Sequence, residues 1–234
     1  MNSEKNLKSK KLKNPPFYNF WYDFVKVTGA IPAYIFLRPK IYRPYGTKTP
    51  RADVLVSGNH RSLLDPIIML TAFPSRRMHS LATKDLFSSP MKTKFFNLMH
   101  CIMVDKENFT LSAFHEVVSR LEAGNMVMIF PEGALNLDKE ETINAFKSGA
   151  VLMAHKAKSC ILPVYIPKRE KWYHRQRVVI GRLFDVREEI GPIPTVDQLN
   201  MASEKLRQME IELREYYESL PVYRKLNKNQ NENK

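Results

Sequence analysis

The chain has 234 residues, of which 44% are hydrophobic and 26% charged; it is long enough to bury a core and too apolar to stay disordered. A formal net charge of +13 calls for an anionic partner, whether nucleic acid, an anionic lipid surface or a phosphorylated small molecule. The only cysteines, Cys101 and Cys160, make no disulfide framework and no CxxC pair, which fits a reducing cytoplasm and argues against a zinc site.

Residues 1–14 form a lysine-rich arm, expected to fray. No smooth apolar stretch or A-x-A site adjoins it, so no cleaved signal peptide is read there. Residues 15–40 follow as an aromatic segment, with eight aromatic residues between Phe17 and Phe36. Its clean apolar run, Val27 to Leu37, contains Pro32 and falls well short of the ~20 residues a spanning helix needs. Aromatic residues beside Lys and Arg suit the membrane–water interface, so a helical interfacial anchor is expected here. The alternative is a helix packed on the protein's own core.

From residue 41 to 222 apolar strand runs and amphipathic helix runs alternate, which predicts one α/β domain. "DVLVSG" reads as a strand, "PIIMLTAF" and "MKTKFFNLMH" as helices, "CIMV" as a strand, and "TLSAFHEVVSRLEAG" as a helix stopped by Gly124. "NMVMIF" is a buried strand. "NAFKSGAVLMAHKAK" is a helix, and "CILPVYI" and "RVVIGRLFDV" are strands. A last helix carries one apolar stripe, Leu199, Ala202, Leu206, Met209, Leu213, Tyr216 and Leu220, suited to docking on the domain. Residues 223–234 are a polar tail.

His60 and Asp65 stand five apart in "LVSGNHRSLLDP". That spacing alone is weak, because His100 and Asp105 repeat it within a predicted strand, where an odd separation puts them on opposite faces. The first pair sits differently. A strand ends at Gly58 and a helix begins at Asp65–Pro66, an N-cap and N1 pair in its plainest reading. The two side chains can meet only if His60 lies in the turn before the helix, which Gly58 and Asn59 permit. Such turns are where α/β proteins place ligands.

A second turn, "MIFPEGALN", follows another buried strand and holds Glu132. With N-H-x4-D at Asn59, His60 and Asp65, F-P-E-G at Phe130, Pro131, Glu132 and Gly133, "IMVDKEN" between them and "ILPV" after them, the chain resembles the glycerolipid acyltransferase superfamily, in particular its lysophosphatidic acid acyltransferase-like members. The resemblance covers roughly residues 50–185. It implies a single mixed-sheet α/β domain that moves a fatty acyl group from acyl-CoA or acyl carrier protein to a lysophospholipid hydroxyl, with lysophosphatidic acid foremost. His60 is then the general base and Asp65 its orienter. Asn59, Phe130, Pro131, Glu132 and Gly133 shape the acceptor site. Lys106, standing where the family has an arginine, would meet the acceptor phosphate, with Arg61 and Lys147 as further cations. Backbone N–H groups near Gly58 or Gly133 are the candidate oxyanion donors. No cofactor and no metal is implied, and the expected place is the cytoplasmic face of a membrane, peripheral or monotopic.

Two departures touch the acceptor side: Ala134 and Leu135 stand where the family commonly carries Thr and Arg after F-P-E-G, and the second motif lacks its usual glycine. Another lipid alcohol, or a non-catalytic lipid-binding role, is therefore carried as the alternative. Nucleic-acid binding rests on charge alone, because no recognised nucleic-acid-binding signature is present.

Overall fold

A computed structural model of the chain describes residues 16–105, 110–137, 142–169 and 174–223. The basic arm, the polar tail beyond Tyr223 and Lys106 lie outside the described residues. The helices are α1 (Pro16–Leu37), α2 (Asp65–Ala72), α3 (Pro90–Leu98), α4 (Leu111–Glu122), α5 (Gly149–Ala157) and α6 (Val196–Ser219). The strands are β1 (Lys40–Tyr42), β2 (Val54–Gly58), β3 (Met78–Thr83), β4 (Cys101–Val104), β5 (Met126–Ile129), β6 (Cys160–Tyr165) and β7 (Arg177–Ile180).

All seven strands join one sheet in the order β1-β7-β6-β2-β5-β3-β4. Every neighbouring pair is parallel except β6 with β7, so the sheet is mixed. Each central strand buries both faces, which is why these strands read as continuous apolar runs. Leu55, Val127, Ile129 and Ile161 point to the layer of α4, α5 and α6. Val54, Val56, Met126, Met128, Leu162 and Val164 point to the layer of α1 and α2. The period of two along each strand thus divides the core between two helical layers.

The structure adds two strands to those expected and corrects three expectations. The strand β3 was missed because "MHSLAT" mixes polar and apolar residues, yet His79 is 1% exposed within it. The short edge strand β1 was missed as well. Helix α5 starts at Gly149 and not at Asn144, because the N–H groups of Asn144 and Lys147 are drawn to Glu132 Oε2 and Pro131 O instead. β7 stops at Ile180: Gly181 N–H still donates to Pro163 O at 2.9 Å, but pairing with β6 resumes only at the isolated Phe184–Ile161 bridge. On α6 it is Tyr217 that is buried and Tyr216 only half-buried, and Glu210 occupies the same buried stripe.

Helix α1 packs through one face only. Tyr22 and Leu37 are buried, the Tyr22 hydroxyl donates to Met78 O, Tyr34 Oη donates to Thr71 O at 2.7 Å, and Lys26 Nζ donates to Phe73 O and Arg76 O. Phe17, Phe20, Phe24, Val27, Ile31 and Ile35 face outward, all at least half exposed. Their spacing of three and four makes a continuous open apolar stripe. Among the described residues no helix is long and apolar enough to cross a membrane.

Candidate active site

β2, β5 and β6 are adjacent and parallel, so the turns after Gly58, Ile129 and Tyr165 all leave one edge of the sheet. This is the carboxyl edge, where open α/β sheets bind ligands. Gly58 is tightly packed there: a Cβ would lie 2.5 Å from Met69 Cε, the end of a flexible side chain, and 3.3 Å from Val164 O.

The chain turns at His60 and then enters α2. Asp65 is the first helical residue, preceded by Leu64 in helical conformation and without a side-chain cap. Its carboxylate does not cap forward as the Asp–Pro pair implies. It folds back over the turn, where Oδ2 accepts N–H groups from Arg61 (2.6 Å) and Ser62 (2.7 Å) and faces His60 Nδ1 at 3.0 Å. Three converging N–H groups suit a carboxylate, which only accepts. The proton of a neutral His60 ring is thereby held on Nδ1, leaving Nε2 with a lone pair. The Phe130 ring stacks on the imidazole with centroids 4.1 Å apart and planes at 15°, and the His60 side chain keeps 18% exposure against 3% for Asp65. By contrast, His100 takes a left-handed φ of 58° and Asp105 pairs with Lys84 at 2.6 Å.

Glu132 is 9% exposed. Its Oε1 accepts His60 N–H at 3.1 Å, and its Oε2 accepts Asn136 Nδ2 at 3.1 Å and Asn144 N–H at 3.2 Å. The carboxylate therefore ties the two turns together. Asn59 was expected at the substrate. Its amide instead donates to Ile166 O at 3.0 Å and accepts Ile166 N–H at 2.7 Å, stitching β2 to the end of β6. The Gly133 N–H, offered as an oxyanion donor, donates to Phe130 O at 3.0 Å. Gly133 itself has φ of 75°, and Lys147 Nζ lies 2.8 Å from where its Cβ would stand, so the absent side chain makes room for the ammonium. The main-chain N–H of Arg61 belongs to the Asp65 turn.

Beneath these turns lies a group the sequence did not reveal. Glu210 on α6 is fully buried, and its Oε1 accepts the Ser57 hydroxyl at 2.6 Å. Burial pushes this carboxyl well above the usual range, the Ser57 hydroxyl opposes the shift, and the nearby Glu132 adds to it. Asn136 was also missed. Polar residues in a loop carry no signal, and only the fold shows it buried at 5%.

The acyltransferase family model matches residues 42–167 of this chain. A probable 1-acyl-sn-glycerol-3-phosphate acyltransferase of Mycoplasma pneumoniae is 28% identical over 170 residues, covering 70% of this chain and 62% of that protein. The 1-acyl-sn-glycerol-3-phosphate acyltransferase of Bacillus subtilis is 24% identical over 164 residues, covering 68% of this chain and 80% of that protein. Among solved structures, the 1-acyl-sn-glycerophosphate (LPA) acyltransferase PlsC of Thermotoga maritima superposes with a TM-score of 0.63 at 18% identity, over 87% of this chain and 82% of that one. It shares the fold. The match spans less than two thirds of the Mycoplasma relative.

Proposed function

This chain belongs to the acyltransferase family, and from that premise we propose that it transfers a fatty acyl group from a thioester, acyl-CoA or acyl carrier protein, to the hydroxyl of a lysophospholipid. Lysophosphatidic acid is the foremost acceptor, because the relatives are named for that reaction. The observation that carries the reading is the 3.0 Å contact of His60 Nδ1 with Asp65 Oδ2 at the carboxyl edge of the sheet.

The chemistry follows from that pair. Nε2 of His60 takes the proton of the acceptor hydroxyl as its oxygen bonds to the thioester carbonyl carbon. The imidazolium so formed faces the Asp65 carboxylate, which stabilises it and keeps the ring from turning. When the C–S bond breaks, the proton on Nε2 passes to the departing sulfur. One ester and one thiol result, and the protein returns unchanged with no covalent intermediate. Lys147, an exposed cation beside Gly133, is the residue assigned to the acceptor phosphate; Lys106 and Arg61 share that role in the expectation from the sequence.

The open stripe of α1 supports membrane-surface attachment, its aromatic and aliphatic side chains entering the headgroup region of an anionic leaflet. The attachment is peripheral or monotopic, on the cytoplasmic face where thioester donors are at hand. Ala134 and Leu135, both exposed beside Glu132, favour one second reading: an acceptor whose headgroup does not need the missing Thr and Arg.

Thiol release from oleoyl-CoA, compared between lysophosphatidic acid, lysophosphatidylcholine and monoacylglycerol, tests the assignment. Release that needs lysophosphatidic acid, gives phosphatidic acid, and in Lys147→Ala shows a KM for that acceptor raised about tenfold or more supports it. Turnover with monoacylglycerol but not with lysophosphatidic acid would replace it with the second reading.

A further inference from the structure

The contacts of Asn136 close a ring around His60. Its main-chain N–H donates to His60 O at 2.7 Å, and its side-chain Nδ2 donates to Glu132 Oε2 at 3.1 Å and to Thr142 O at 2.6 Å. Glu132 Oε1 in turn accepts His60 N–H at 3.1 Å. The His60 main chain is thus held at both its N–H and its C=O by the second turn, while Asp65 and Phe130 hold its ring.

We propose that Asn136 is a positioning residue for acyl transfer, setting the place of the His60 imidazole through the Glu132 carboxylate and the His60 main chain. The proposal rests on the reading of His60 as the base. A side-chain amide offers two N–H donors on one nitrogen, and here one meets Glu132 and the other Thr142. Alanine offers none, serine one, and aspartate sets a second carboxylate against Glu132. Loss of the clamp lets the turn carrying His60 shift, and a misplacement of about 1 Å costs roughly 10²-fold in rate. The ring acts on the place of the His60 turn, so the loss falls chiefly on kcat.

The test uses the full chain in detergent micelles with oleoyl-CoA and lysophosphatidic acid, measuring kcat, both KM values and the melting temperature. It adds the low-field proton NMR signal of the His60 Nδ1–H, identified by its disappearance in His60→Ala. In Asn136→Ala, kcat is expected to fall roughly 30- to 100-fold with both KM values within about twofold, and the Nδ1–H signal to broaden. Asn136→Ser falls between parent and alanine. In Asn136→Asp, the ratio of variant to parent kcat rises as pH falls, because a protonated carboxyl can again donate to Glu132. Parental kcat and an unchanged signal in Asn136→Ala overturn the proposal. So does a loss of kcat in Asn136→Asp that follows melting temperature alone and ignores pH. Full activity in His60→Ala refutes the base reading itself, and is distinct from failure of the clamp, in which His60→Ala is dead and Asn136→Ala unimpaired.

Discussion

Replacing Asp65 by Asn isolates what the carboxylate gives the imidazole. The amide oxygen can occupy the place of Oδ2 and keep the N–H groups of Arg61 and Ser62, now at 2.6 and 2.7 Å, so the turn and the start of α2 survive. What disappears is the charge facing His60. Between an imidazolium and a carboxylate at 3.0 Å, the interaction has a ceiling of about 5.5 kcal/mol at an effective dielectric near 20. The His60 side chain is 18% exposed, and solvent trims that figure to about 3–4 kcal/mol. Since each 1.36 kcal/mol is a factor of ten, kcat should drop roughly 10²- to 10³-fold. An amide turned the other way, with Nδ2 toward the ring, puts the imidazole in the wrong tautomer and deepens the loss. Steady-state thiol release from oleoyl-CoA gives kcat and KM, with melting temperature as the control on folding. A kcat within about fivefold of the parent, in a variant that melts normally, would refute the argument.

Other consequences can be checked separately. His79 is pulled down to about 3 and His100 to about 4, mainly by burial and then by the Arg120 charge. Their folded values lie below the unfolded value near 6.5, so stability is intact above that pH and is lost as pH falls toward 4 and then 3, by up to about 1.4 kcal/mol per pH unit for each group. Urea midpoints at pH 7 and pH 5 should differ more for the parent than for His100→Phe, which keeps the stack on Tyr22; equal differences contradict this. Glu210 has the opposite sign: its carboxyl is raised, so stability present below the unfolded value is lost as pH rises. Glu210→Gln should therefore melt higher than the parent at pH 8, with the gap closing toward pH 4, and an identical gap at both would count against the buried neutral acid. On α1, Phe20 and Ile31 are 68% and 62% exposed, and Phe20→Glu with Ile31→Glu should weaken sedimentation with phosphatidylglycerol vesicles at least about tenfold, since a buried side chain of this size is worth about 1.5–3 kcal/mol. Partition equal to the parent would remove the stripe from the membrane reading.

How much of this was legible in the sequence depends on whether a feature is periodic or tertiary. The central strands β2, β5 and β6 could be read because both faces are apolar, and α4 because its stripe ends at Gly124, where φ is 84°. β3 could not, because His79 is buried by a partner from elsewhere in the chain: its ring stacks on His100 at 4.9 Å, and His100 stacks on Tyr22 at 4.5 Å. The pairing of His60 with Asp65 needed the turn between them, and the spacing only allowed it. Asp65 looked like a forward cap because Asp–Pro is common at helix starts, and nothing local tells a cap from a carboxylate folded back. F-P-E-G marked Glu132 as a candidate site residue. Its partners were not legible, because Asn136 and Asn144 reach it through a loop with no repeating pattern. Glu210 lay hidden in a stripe where one polar residue among seven apolar ones reads as surface.

The central claim is that His60 is the base that activates the acceptor hydroxyl. The most direct test is acceptor-dependent thiol release by His60→Ala next to the parent, both folded and both bound to vesicles. Turnover lowered by roughly 10²- to 10⁴-fold, with membrane binding and melting temperature retained, is the predicted result. A His60→Ala protein that still esterifies lysophosphatidic acid at the parental rate would contradict the account.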